Sequence, residues 1–60
     1  MNEIIVGAAV IHTVKEARKY GVGIVLWMTA TPTETTRFYT ILWSDGVERK
    51  HSSYFLKRIA

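Results

Sequence analysis

His12 and His51 are the only histidines in the chain, so they come first in any search for chemistry. A structural zinc site needs about four N, S or O ligands. With no cysteine and no His-x-x-x-His spacing, the chain does not supply them, and no metal is expected. His51 precedes Ser52 and Ser53, which invites a base-and-nucleophile reading. Neighbours on a strand point to opposite faces, and no oxyanion donor is identifiable, so hydrolysis is not expected either. The better role for His51 is a hydrogen bond to the turn that follows it, with Ser52 capping that turn. "YGVGIV" at 20–25 lacks the Lys-Ser/Thr, the following helix and the glycine spacing of a phosphate loop.

Cations and aromatic rings remain as candidates for binding. The formal charge is +3 and the isoelectric point about 9.6, a mild excess that many proteins without a polyanionic partner share. Lys15, Arg18 and Lys19 form one cluster; Arg49, Lys50, Lys57 and Arg58 form another, with Arg37 between. Such cations can meet a phosphate backbone, or they can simply protect a sheet edge from aggregation. Tyr20 and Trp43 flank predicted strands and can converge at one rim. There they would stack on unpaired bases or cage a methylated Lys or Arg. Asp45 is placed to serve such a cage but is better explained by a turn. Trp27, Phe38 and Trp43 are expected to fill the core.

The elements that must position these groups read as strands. The chain is 60 residues, one domain at 1–60, and a domain this small buries only about 60% of its unfolded surface. Ile4–Thr13 is the first predicted strand, with a bend or bulge at Gly7. Residues 14–21 read as a loop, too short for a stable helix. Val22–Thr29 and Phe38–Trp43 are the next strands, joined by a polar loop around Pro32. Both are apolar on each side, so the pattern does not say which face is inside. One face must be covered or left exposed as a binding patch. Asp45-Gly46 predicts a type I′ hairpin turn, with both residues at positive φ. A two-residue loop sets Trp43 opposite Glu48 and Leu42 opposite Arg49. Val47–His51 follows, then a turn or single 3₁₀ turn over 52–55, then Leu56–Ile59. Five short strands without substantial helix are most easily stabilised by curling into a small, partly open barrel.

"VGAAVIH" (6–12), "YGVGIVLWM" (20–28) and "YTILWSDGVERKHSSYFLKRI" (39–59) together resemble the small SH3-like barrel proteins of tailed bacteriophages and bacteria, akin to Tudor and KOW domains. In those, a V-G-x-x-V-x-H strand precedes a G-x-G-I-V strand, a strand ending W-x-D-G and a closing L-x-x-I. The likeness covers most of the chain and implies an all-β, five-stranded SH3-like barrel, with a host-cytoplasmic setting if the chain is phage-encoded. A fainter likeness links "GIVLWMTATPTE" (23–34) to the plasmid-encoded dihydrofolate reductases. Their V-Q-I-Y motif is replaced here by "VERKHSSYF", so no folate or nicotinamide cofactor is expected.

The function expected from the sequence is a non-enzymatic interaction module that binds a protein partner or a second copy of itself. The alternative is a nucleic-acid-binding barrel with a basic rim. The candidate binding residues are Tyr20, Trp43, Arg49, Lys50, Lys57 and Arg58. The apolar run 4–11 is too short to span a bilayer and lacks the features of a secretory signal. The absence of cysteine fits a reducing compartment, so a cytoplasmic chain with no membrane contact is expected.

Overall fold

β-Branched and aromatic residues dominate the second and third strands, GIVLWMT and FYTILW, of a five-stranded antiparallel sheet, whereas the fourth and fifth, ERKHS and LKR, are mostly polar. The computed structural model describes residues 4–29 and 37–60; the loop predicted around Pro32 lies outside them. In chain order the elements are β1 (Ala9–His12), the 3₁₀ helix η1 (Lys15–Tyr20), β2 (Gly23–Thr29), β3 (Phe38–Trp43), β4 (Glu48–Ser52), the 3₁₀ turn η2 (Ser53–Phe55) and β5 (Leu56–Arg58). The sheet order is β4-β3-β2-β1-β5. β4 and β5 are therefore its two edges and are not hydrogen-bonded to each other. No helix among the described residues is long and apolar enough to cross a membrane.

The sheet curls strongly. β1 and β4 are separated by β2 and β3, which in a flat sheet would place them about 14 Å apart. Yet the His12 and His51 rings, one on each strand, have centroids 4.8 Å apart. Within the curl lie Val10, Val25, Tyr39, Ile41 and Trp43, with Ala8 and Leu56 at its margins.

Four details differ from the sequence reading. The first strand is only Ala9–His12. Gly7 lies in a turn before it, where the Ala8 N–H donates to the Ile5 carbonyl and the Gly7 N–H to Val25. Residues 15–20 are a 3₁₀ helix rather than a loop, closed by bonds from Ala17 N–H to the Val14 carbonyl and from Gly21 N–H to Arg18. The tighter i→i+3 pattern suits so short a segment.

The hairpin after β3 is not type I′. The Gly46 N–H donates to the Trp43 carbonyl at 2.9 Å and the Trp43 N–H to the Val47 carbonyl at 3.1 Å. The loop is therefore Ser44-Asp45-Gly46, and Gly46 takes φ +84° while Asp45 does not adopt positive φ. This is the three-residue hairpin whose last loop residue sits in the left-handed region. The Asp45 carboxylate accepts the Val47 N–H at 3.1 Å, so the aspartate serves the turn through its side chain. The register moves by one residue: Leu42 faces Glu48 and Ile41 faces Arg49. A one-residue shift exchanges the faces of an entire strand. It turns Arg49 and His51 inward with Ile41 and Tyr39, and Glu48 and Lys50 outward with Leu42 and Thr40.

The fourth difference is a bulge in β2. Val25 pairs with Ile41 but Trp27 pairs with Thr40, leaving Leu26 without an opposite residue. In a regular strand Trp27 would share the inner face of Val25. The extra residue inverts the alternation and sends Trp27 outward, where it is 52% exposed. Of the three rings expected in the core, only Trp43 is fully buried; Phe38 is half-buried on the outer face.

Gly23 lies opposite Trp43 in the β2–β3 pair. A Cβ there would strike Ile41 Cγ2 and come within 2.8 Å of Trp43 Cε3. Gly23→Ala is expected to cost about 1–3 kcal/mol by overpacking, read as a lowered midpoint in urea unfolding with an unchanged slope.

Candidate aromatic and histidine cluster

Trp43 is the centre of the cluster. Its position on the inner face of β3, opposite a residue without a side chain, leaves room for the indole, which is 1% exposed. A buried indole N–H needs an acceptor, and Trp43 Nε1 donates to His51 Nε2 at 3.2 Å. His51 reaches it from β4 because the register turns that residue inward. The His51 ring is set edge-on to Trp43, with centroids 5.4 Å apart, and to His12, at 4.8 Å.

His12 closes the other side from β1. Its Nδ1 accepts the Val14 N–H at 3.0 Å, one residue before η1 begins. The bond fixes the chain just ahead of η1, whose own first turn carries no side-chain cap. Phe55 from η2 stacks on His12 at 5.7 Å, and Tyr20 at the end of η1 meets His12 at 6.2 Å and Trp43 at 5.7 Å. Five rings from five elements thus close one end of the curl.

The charged part of the cluster is self-contained. Arg49 lies over the Tyr20 ring, its Cζ 3.8 Å from the centroid, a close cation–π contact. Its two terminal nitrogens donate to the two Asp45 carboxylate oxygens at 3.2 and 2.8 Å, the bidentate geometry that arginine favours. Those hydrogen bonds hold the Asp45 carboxyl below the usual range and push the Arg49 guanidinium up. Burial lowers both histidines; for His51, repulsion from His12 and Arg49 adds to it.

These contacts sort the six residues expected to bind. Tyr20, Trp43 and Arg49 come together, but Trp43 is enclosed rather than presented at a rim. The Tyr20 face that would receive a partner's cation is occupied by the chain's own Arg49. Lys50 follows Arg49 in sequence and faces the opposite way, its Nζ 5.6 Å from the Phe38 ring. Lys57 is exposed on β5 at the far edge of the sheet order. Arg58, paired with Val10, donates through Nε to the Ala60 carbonyl at 3.3 Å. The basic residues therefore lie on both faces and both edges of the sheet. His12, His51 and Phe55 are the members of the cluster that were not singled out as binding residues from the sequence. Spacing gives no signal for them, because only the curl brings β1, β4 and η2 together. Ser52 does cap the 52–55 turn, its Oγ accepting the Tyr54 N–H at 3.3 Å.

Chemically, the cluster is full. Both imidazoles spend a lone pair on an N–H donor, and no cavity opens among the described residues. No group of three or more His, Cys, Asp or Glu among them could hold a metal ion.

The open surface is elsewhere. Ile24 pairs with Leu42 and Trp27 with Thr40 on the outer face of β2 and β3. Ile24 is 43% exposed and Leu42 39%, and with Trp27 they form an apolar strip. Comparison with known proteins finds no matching family model and no significant match among curated proteins or solved structures.

Trp43→Ala is expected to cost about 3–5 kcal/mol. That is a large part of the stability available to a domain of this size, so the variant should be largely unfolded by circular dichroism at room temperature.

Proposed function

We propose that the chain is a non-enzymatic interaction module with an SH3-like barrel architecture, and that it docks through the outer face of β2 and β3. The observation that carries this reading is the exposed strip of Ile24, Trp27 and Leu42. Three large apolar side chains gathered on one sheet face favour a protein contact over open solvent. The first partner is a second copy of the chain. Glu48 and Lys50 border the strip on the same outer face of β4. Two copies stacked about a two-fold axis can therefore set each Glu48 against the other's Lys50, with the apolar strips between them. A 60-residue chain gains more from such burial than a larger one would. A cytosolic setting, in the host if the chain is phage-encoded, belongs to the same reading and is supported by the lack of cysteine.

The test is mass as a function of concentration. Sedimentation equilibrium is expected to give a mass that rises from monomer to dimer with concentration, with a blue shift of the Trp27 emission. Trp27→Glu is expected to hold the monomer mass with unchanged far-UV circular dichroism. A wild-type chain that stays monomeric throughout sinks the self-association reading and points to a different protein partner. Saturable, steeply salt-dependent quenching by nucleic acid would instead select the basic-surface alternative.

A further inference from the structure

The docking face leaves the inward ring cluster without a role, and that cluster holds both of the chain's histidines, whose ordinary titration lies near neutral pH. We propose that His12 and His51 form an acid-sensitive latch: neutral, they hold one end of the curled sheet shut over Trp43, and protonation releases it. This inference stands independently of the docking face.

The geometry demands neutral rings. His51 Nε2 accepts from the Trp43 indole and His12 Nδ1 accepts from the Val14 N–H. Each nitrogen therefore carries a lone pair, and the proton of the neutral ring sits on the other nitrogen. Adding a proton to His51 Nε2 turns it from acceptor into donor and orphans the buried indole N–H. Adding one to His12 Nδ1 takes the acceptor away from the Val14 N–H, just ahead of η1. With both protonated, two cations would stand with ring centroids 4.8 Å apart.

Among the described residues the surroundings offer no compensation. From η1 comes Tyr20, already under Arg49. β4 contributes Arg49, a cation, and the hairpin loop contributes Asp45, whose carboxylate is committed to that cation. β3 and η2 contribute Trp43 and Phe55, which do not titrate. No carboxylate is hydrogen-bonded to either imidazole among the described residues. Burial lowers both histidines further. The sign follows: the unfolded chain binds these protons more readily than the folded one. The latch contributes its full stability above the ordinary histidine value of 6.5 and loses it as the pH falls below that value.

The experiment follows the Trp43 indole N–H resonance and the thermal midpoint of the whole chain from about pH 7.5 to about pH 5, above the range of ordinary carboxylates. The expected result is broadening or loss of that resonance, with a fall in midpoint of about 5 °C or more. The control is His12→Asn with His51→Gln. These amide oxygens can stand where Nδ1 and Nε2 accept, but they do not titrate. The double variant is expected to keep a flat midpoint over the same window. An indole resonance and midpoint in the wild type that do not move overturn the proposal. So does a double variant that loses stability in parallel with the wild type. If the double variant does not fold, the wild-type titration decides alone, with each histidine's own imidazole shifts as the second readout. Ordinary, independent titration of both rings with Trp43 unmoved is then the overturning result.

Discussion

A tryptophan indole buried to the last few square ångströms sets the terms for the rest of this molecule. Trp43 brings a large apolar surface inside a small chain, and with it one polar hydrogen that must be satisfied there. Meeting that need fixes three things at once. The opposite residue must have no side chain, which Gly23 provides. An acceptor must arrive from the neighbouring strand, which requires His51 to face inward. And His51 faces inward only in the register set by the Ser44–Gly46 loop. A two-residue loop would move His51 to the other face and Lys50 into its place, so the hairpin turn and the buried ring depend on each other.

The same parity logic separates what the molecule hides from what it shows. The bulge at Leu26 lets one strand serve the core with Gly23 and Val25 and the outer face with Ile24 and Trp27. Arg49 and Lys50, adjacent in sequence, are divided between an internal cation–π contact and the outer surface. Cations that look like one patch in the sequence are thus employed separately.

Much of the architecture was legible in the residues. The strand Phe38–Trp43 was placed at its observed bounds, and the 3₁₀ turn over 52–55 with its Ser52 cap was anticipated from local chemistry. What was not legible was non-local or hinged on a single residue. Asp45-Gly46 fits two loop lengths that differ by one, because Gly46 supplies the positive φ in either. Val22–Thr29 is apolar at both parities, so nothing in its pattern announces an extra residue at Leu26. The pairing of His12 with His51 depends on the curl of the whole sheet, which no spacing encodes.

The position of β5 has a kinetic consequence. β2, β3 and β4 pair with their sequence neighbours, joined in the β3–β4 hairpin by a short loop with its own Asp45–Arg49 ion pair. β1 pairs with its neighbour β2 on one side, but on the other it pairs with β5 through Val10 and Arg58, His12 and Leu56, residues from nearly opposite ends of the sequence. Closing so long a loop carries an entropic cost that only a formed sheet can offset. The meander is therefore expected to form first and the β1–β5 ladder last, an order that φ-value analysis would read. His12 belongs to the β1–β5 ladder and His51 to the β3–β4 hairpin, so their contact joins the most distant pairing of the sheet to its most local one.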